Sequence, residues 1–331
     1  MTETYIITPD FNGKKFLNKY FSSLFNQTYN DFKIIFVDNS PNNDSIDFIN
    51  SHYSDKLDEG KIIIVKNPKN YGFAEANNIG IRKAFKDKKC RYIICLNNDI
   101  EAKPNFLEEL IKCSNNHHDA GSIQSKMIWG LKPDLIDSVG LEYSKNGLGF
   151  NRGTHEPSNG YNKEEEIFGC CAGACLYRRD ALEDIKIDED YFDSEFFAYY
   201  EDFDVALRLR WGGWSAWYCP NSIVYHHKGG TEGALSDFTV YHNWRNYTWT
   251  LFKNIPGKYI IKHLHLIILS EISQIALSLL RGKPVILKAK LDAYKSVSKF
   301  SRKKKKVNKK VPFNEIERWF VMKWKAKVQK P

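Results

Sequence analysis

Four short apolar runs in the first hundred residues constrain this chain more than any other feature. Each is closed by a polar turn, and the runs are separated by stretches with helical spacing. Tyr5-Ile6-Ile7-Thr8 stops at Pro9, residues 32–37 stop at Asp38-Asn39-Ser40-Pro41, and residues 61–65 and 92–96 repeat the pattern. Between the first two runs Phe16, Leu17, Tyr20, Phe21, Leu24 and Phe25 recur every three or four residues, which is one buried face of a helix. Residues 74–85 supply a further helical stretch before the fourth run. Strands alternating with helices predict βαβ units and a parallel sheet. Ligands bind such sheets where the strands' carboxyl ends emerge. Residues 8–10, 38–39, 67–70 and 97–99 are therefore candidates for one shared crevice. No Gly-x-Gly-x-x-Gly and no Walker lysine loop is present, which argues against a dinucleotide dehydrogenase or a P-loop enzyme.

Composition matters chiefly through where the charge lies. The 331 residues sum to +9, yet residues 253–330 hold 21 Lys and Arg against four acids, Glu271, Asp292, Glu315 and Glu317. This tail is +17 and residues 1–252 are −8. We therefore expect an acidic body, 1–252, and a basic C-terminal region, 253–331. A hydrophobic content of 42% is ample for a core and excludes a disordered or collagen-like chain. Seven cysteines without a Cys-x2-Cys pair are expected to be reduced thiols packed as small apolar residues. Residues 1–10 have no basic segment ahead of their apolar run, so no secretory signal is expected, and both facts favour the cytosol.

Several side chains could carry chemistry. Asp99, in Leu96-Asn97-Asn98-Asp99, follows an apolar strand. It suits a hard divalent cation that shares its other ligands with a diphosphate, or simply a turn. Glu201, Asp202 and Asp204 open a helix that Gly212-Gly213 ends, where acids also answer the helix dipole. Asp202 shares a stripe with Val205 and Leu209, and a carboxylate held ionised there could take a proton from a hydroxyl. Asp204 and Arg208, four apart, are expected as a solvated ion pair. His226 ends a strand-like run and His227 should face the other way, so only one enters a site. The small-residue stretch Gly169-Cys170-Cys171-Ala172-Gly173-Ala174-Cys175 is either a tightly packed strand or a close approach to a ligand. Tyr and Trp residues between 191 and 218, Trp214 among them, are core material by default, although sugar-binding surfaces also use aromatic faces.

In order, these pieces resemble family 2 inverting glycosyltransferases. The resemblance runs through Tyr5-Ile6-Ile7, Gln27-Thr28-Tyr29, Val37-Asp38-Asn39-Ser40, Asn70-Tyr71-Gly72-Phe73-Ala74 with Asn77, and Leu96-Asn97-Asn98-Asp99 with Pro104. It continues through Ala172-Gly173-Ala174, Tyr200-Glu201-Asp202-Phe203-Asp204, Gly213-Trp214, Val224-Tyr225-His226 with Gly229-Gly230-Thr231, and Arg245-Asn246. It covers about residues 4–250 and is similar to the bacterial rhamnosyltransferase-type branch. The resemblance implies a GT-A fold: a Rossmann-like nucleotide-binding mixed sheet flanked by helices. It implies that Thr8, Asp10, Asp38, Asn70, Asn77, Asn98 and Arg245 bind the nucleotide: Asp38 at the base with Thr8 and Asp10 lining its pocket, Asn70 and Asn77 near the nucleoside, and Arg245 at the diphosphate or a gating loop. Asp99, in a degenerate Asp-x-Asp motif with Asn97 in its first position, and His226 would hold a divalent metal, Mg2+ or Mn2+. Asp202 would be the general base, with Glu201, Gly173 and Trp214 at the acceptor. The implied reaction is a single displacement that moves a sugar from a nucleotide sugar donor to a hydroxyl of a glycan or lipid-linked glycan, as in polysaccharide biosynthesis of the cell envelope. The alternative is a catalytically silent nucleotide-sugar or glycan-binding protein of the same fold.

In the tail, Leu264, Ile268, Ile272, Ile275 and Leu279 lie at helical spacing but are interrupted by polar residues, which predicts an amphipathic helix and a poor membrane span. Arg302-Lys303-Lys304-Lys305-Lys306, Trp319-Phe320 and Trp324 follow. Cations with interfacial aromatics suit an anionic membrane surface, so peripheral attachment to the inner face of the plasma membrane is expected. The other options are helices packed on the body, or nucleic acid, which the −8 body disfavours.

Overall fold

The computed structural model describes residues 3–227, 236–280, 282 and 284–324. The expected strand–helix alternation opens the chain: β1 Thr4–Asp10, α1 Lys14–Phe25, β2 Phe32–Asp38, α2 Asp44–His52, α3 Ser54–Asp58, β3 Ile62–Lys66, α4 Gly72–Ala84 and β4 Tyr92–Leu96. Then come β5 Ile100–Ala102, α5 Phe106–Asn116, β6 Ala120–Trp129, β7 Ile136–Ser138, β8 Leu141–Tyr143, β9 Gly149–Asn151, β10 Glu165–Glu166, β11 Ala174–Arg178, α6 Arg179–Ile185, α7 Glu201–Trp211 and β12 Ser215–His226. The chain closes with α8 Asp237–Asn254, α9 Gly257–Lys262, α10 Leu264–Leu280, α11 Val285–Lys295, α12 Val297–Lys303 and α13 Phe313–Glu317.

One mixed sheet in the order β10-β12-β6-β11-β4-β1-β2-β3 forms the centre. The β4-β1-β2-β3 half is parallel, β11 runs antiparallel to both β4 and β6, and β12 is parallel to β6. Both faces are covered, as a parallel half requires. On one side Leu17, Phe21 and Leu24 of α1 pack with Phe106 and Leu110 of α5. On the other, Ala74 and Ile81 of α4 pack with Leu182 of α6 and Val205 and Leu209 of α7.

Two strand assignments differ from the sequence pattern. The apolar runs at 215–218 and 222–225 belong to one strand, β12, whose register shifts between Cys219 and Ile223. No alternation announces β6, because its buried interior includes Ser122, Gln124, Ser125 and Lys126. These are satisfied internally: Gln124 and Ser125 both donate to the Ala174 carbonyl, and Lys126 donates to the Gly160 carbonyl at 2.8 Å.

The C-terminal helices pack on the body. Trp249 of α8, Phe300 of α12 and Ile316 of α13 share a third core with Phe203, Leu207 and Trp211 of α7. Position 252/253, where the charge changes sign, lies inside α8. Lys253 is fully buried, with Nζ 2.7 Å from Asp193 Oδ2 and 2.9 Å from Asp204 Oδ2. Asp204 also accepts from Arg208 Nε at 2.9 Å and from Asn254 at 2.9 Å. The expected solvated Asp204–Arg208 pair is thus corrected to a buried one, because α8 covers that face of α7 and supplies a second cation. Further out, Lys299 pairs with Glu195, Lys303 with Asp193, Lys306 with Asp188 and Lys310 with Asp184. Much of the basic run is spent on the acidic body.

Removing one partner from a buried ion cluster leaves a charge without compensation, which costs about 3–5 kcal/mol. Lys253→Met is expected to lower unfolding free energy by about that amount in urea titrations, whereas the exposed pair variant Lys306→Gln should change it by less than about 0.5 kcal/mol.

Candidate active site

At the carboxyl end of the sheet a cavity of about 650 Å³ is lined by residues that include Asn97, Asp137, Gly173, Glu201, Asp202 and His226. Strand pairing builds one wall. After β4 the chain turns through Asn97-Asn98-Asp99 into β5, which pairs antiparallel with the end of β12 and sets Ile100 opposite His226. Asp99 therefore meets the histidine, with His226 Nε2 3.1 Å from Asp99 Oδ1. On the other edge of β6, β7 brings Asp137, whose Oδ2 lies 2.6 Å from His226 Nδ1. Burial alone would lower the imidazole pKa, but hydrogen bonds to Asp137 and Asp99 overcome it and raise it to about 10. His227 turns away to Glu101, at 3.0 Å.

The second wall comes from α7 and the stretch before β11. Gly169 lies so close to Ala206 of α7 that a Cβ there would overlap it, whereas Cys171, Ala172 and Gly173 line the cavity. The start of this small-residue stretch is thus tightly packed against α7, and its middle lines the cavity. Phe197, Tyr199 and Tyr200 lead into α7 with φ of 65°, 68° and 67°, a region costly for residues with a side chain. Asn246 of α8, fully buried, holds that bend by donating to the carbonyls of Phe196, Ala198 and Tyr199 at 2.9, 2.8 and 2.7 Å.

The bend delivers two adjacent carboxylates. Asp202 opens on the cavity, accepts from the Phe203 amide at 2.8 Å, and is pushed up to about 6 by burial, against the backbone hydrogen bonds that favour its ionised form. Glu201 is buried, and burial and the neighbouring Asp202 charge push it well above the usual carboxylate range. Its Oε2 has no hydrogen-bond partner among the described residues.

The other expected residues occupy distinct places. Asp10 is buried at the end of β1 and accepts from Ser45 at 2.8 Å, from Ser40 at 3.2 Å and from Asn98. Asp38 accepts from the Ser40 amide and Lys66, both at 2.8 Å. Thr8 hydrogen-bonds Tyr20 of α1 inside the core. Asn70 is exposed and accepts from the Gly72 amide, and buried Asn77 donates to the Phe73 carbonyl. None of these six lines the cavity wall that holds Asp202. Arg245 donates to the carbonyls of Glu195 and Phe196 and stacks over Trp249, 4.0 Å from the ring centroid. Trp214 sits beyond the opposite end of α7, its indole N–H on Asp184 at 2.9 Å. An eleven-residue helix spans about 16 Å, so the structure does not bring Trp214 to the cavity. Gly229, Gly230 and Thr231 lie outside the described residues.

Two site residues escaped the sequence pattern. Asp137 sits on a three-residue strand with no motif around it, and its role emerges only from the β7–β6–β12 arrangement. Asn246 stood in a quoted motif, but its function depends on three carbonyls far away in sequence. As for a metal, Asp99 and His226 place an oxygen and a nitrogen side by side, a divalent cation there would displace the Nε2 proton that the two carboxylates otherwise favour, and the imidazole's second nitrogen is held by a buried carboxylate. That carboxylate–histidine arrangement orients metal-binding imidazoles, so the residues fit a divalent cation. Cys113, His117 and Glu164 form a separate group of potential ligands elsewhere, beside Trp217 of β12.

The sheet order and this site define the GT-A class of fold. A solved S. aureus TarS fragment 1-349 in complex with UDP-GlcNAc aligns with TM-score 0.58 at 14% identity, over 90% of this chain and 82% of that one. A mannosyltransferase from Pyrobaculum calidifontis in complex with GDP-Man and Mn2+ aligns with TM-score 0.53 at 10% identity, over 92% and 84%. Residues 5–186, more than half of the chain, match the family described as Glycosyl transferase family 2, and the chain belongs to that family. Among curated relatives, an N-acetylglucosaminyl-diphospho-decaprenol L-rhamnosyltransferase of Mycobacterium tuberculosis is 27% identical over 161 residues, 43% of this chain and 48% of that protein. The chain thus spans about half the length of that relative.

Because the fold raises the Asp202 pKa above its unfolded value of about 3.9, the protonated form is the one the fold favours. That preference is lost as pH rises through about 6. Asp202→Asn should therefore match the wild-type melting temperature near pH 4, exceed it increasingly up to about pH 6, and keep that advantage at pH 7. Thermal melts across that range check this, and a variant less stable at pH 7 would refute it.

Proposed function

We propose that the protein is an inverting glycosyltransferase that moves a hexosyl or deoxyhexosyl group from a nucleotide-diphosphate sugar to a hydroxyl of a glycan or lipid-linked glycan. The observation that carries this is Asp202: a carboxylate opening on the cavity, with a pKa near 6, across from a metal-type Asp99–His226 pair. A base poised near the working pH is what proton abstraction from a hydroxyl needs. Family membership and nucleotide sugars bound to neighbours of the same fold support the donor class.

In the proposed reaction the acceptor oxygen attacks the anomeric carbon from the face opposite the diphosphate. Asp202 takes the hydroxyl proton, the bond from the anomeric carbon to the diphosphate oxygen breaks, and the configuration inverts. Glu201 and Gly173 shape the acceptor side. Asp10, Asp38 and Asn98 at the strand ends, with Asn70 before α4 and Asn77 on it, form the nucleoside-binding region, Thr8 supports it from the core beneath, and Arg245 holds the loop that leads to α7. A divalent metal, Mg2+ or Mn2+, held by Asp99 and His226 would neutralise charge on the departing diphosphate. Asp137 keeps His226 oriented for that task.

The Mycobacterium relative's name describes an acceptor sugar on diphospho-decaprenol, which favours a lipid-linked acceptor and work at the inner face of the plasma membrane, in cell-envelope polysaccharide synthesis. No helix among the described residues is long and apolar enough to cross a membrane, so attachment would be peripheral.

Incubating the protein with a panel of nucleotide sugars and Mn2+ should release nucleoside diphosphate from at least one donor. Asp202→Asn should cut that release by about 10²–10⁴-fold while calorimetric binding of the nucleoside diphosphate stays within about twofold. Wild-type turnover falls as pH drops below about 6 if Asp202 is the base. Undiminished turnover in the variant would remove it from that role.

A further inference from the structure

Helix α10 presents its faces in reverse. Ser270, Gln274 and Ser278 point inward and are buried, and Glu271 reaches the buried Lys290 of α11 at 2.8 Å. Leu264, Ile268, Leu269, Ile272, Ile275 and Leu280 are exposed, Ile272 at 57% and Leu280 at 83%. The sequence pattern finds the right stripe of apolar residues. The structure turns Leu264, Ile268, Ile272 and Ile275 of that stripe outward, because the polar face has a partner and these residues have none among the described residues; the side chain of Leu279 lies outside the described residues. Ile261 of α9 and Leu291 of α11 are also exposed, at 74% and 61%. Contiguous apolar surface of this kind marks an interaction site.

Charge selects the occupant. Within residues 257–295 the acids are Glu271 and Asp292, and both turn inward, to Lys290 and to the Tyr241 hydroxyl at 2.8 Å. The same helices expose Lys258, Lys288 and Lys295. Lys288, Leu291 and Lys295 fall on one stripe of α11, three and four residues apart. A second copy of this chain would set these cations against each other, whereas an anionic lipid surface would attract them. Seventeen residues make a helix of about 25 Å, and its inner face is mostly polar: Ile267 joins the third core, while Ser270, Gln274 and Ser278 are buried and Glu271 is ion-paired. It therefore suits lying flat at the interface with its apolar side among the acyl chains.

We infer that α10, flanked by the exposed cations of α9 and α11, is an in-plane anchor that docks the protein on an anionic bilayer. The run at 302–306 offers fewer free cations, because Lys303 pairs with Asp193, Lys306 with Asp188, and Lys304 donates to the Ile255 carbonyl. The inference deepens the peripheral-membrane part of the function proposed above, and its test is separable from the chemistry.

The full chain should float with vesicles of phosphatidylglycerol and phosphatidylcholine, and less with phosphatidylcholine alone. Ile268→Glu combined with Ile272→Glu should reduce the floated fraction about tenfold or more. Donor hydrolysis and melting temperature should be unchanged, and Lys306→Gln should float as wild type. Should the glutamate pair fail to fold, Leu269→Asn with Ile275→Asn is expected to give the same loss. Absence of wild-type flotation, or equal flotation of the folded apolar-face variants, overturns the inference. So does a wild-type dimer that the variants convert to monomer without change in flotation. Flotation without hydrolysis would leave the anchor standing and count against the transferase reading alone.

Discussion

The buried ammonium of Lys253, held between Asp193 and Asp204, joins the parts of this molecule that the charge pattern separates. Taking such charges out of water costs several kcal/mol each, so the cluster is tolerable only because its groups satisfy one another. Arg208 adds a second cation and also donates to the carbonyls of Ile185 and Tyr191, and Asn254 completes the Asp204 carboxylate. Burial would raise the Asp193 pKa, but Lys253 and Lys303 hold it below the usual carboxylate range. One cluster thus ties α7, α8, α12 and the loop before α7 to one another. The −8 body and the +17 tail are two halves of one electrostatic arrangement.

That arrangement bears directly on the site. Asp204, the group that receives Lys253, lies two residues after Asp202 on the first turns of α7, and Asn246 lies two turns before Lys253 on α8. The same α8 that neutralises the helix from behind also donates to the three carbonyls of the strained bend in front of it. Three side chains at positive φ persist because they are over-determined from α8. The proposed base is therefore positioned by a C-terminal helix that contributes no carboxylate to the cavity wall. Ordering the bend in advance avoids reorganisation when a substrate arrives, which is the sense in which a strained site is useful.

Legibility in the sequence followed how local the physics was. The β1 to β4 alternation, the α1 apolar face and the limits of α7 were readable because burial on one side imposes a period on neighbouring residues. Strand β6 was not, since Gln124, Ser125 and Lys126 find their partners inside the protein. His226 could be named because it ends a strand, and Asp99 because a polar turn follows β4. Their 3.1 Å meeting needed β5 to pair with β12 across more than a hundred residues. Asp137 had no local signal at all.

The α10 helix shows the same limit in another form. Periodicity reports that a helix has two unlike faces, but not which face meets the protein, because an apolar stripe is equally consistent with a core and with a lipid surface. What decides is the partner. The Lys290 ammonium on α11 is itself buried and lowered to about 8, with burial opposing and Glu271 favouring its charged form. A buried cation demands a carboxylate, Glu271 must turn inward to supply it, and the rest of α10 rotates with it. The exposed Ile and Leu residues are thus the consequence of an ion pair inside the protein, and the direction in which this helix presents its apolar side is set by electrostatics.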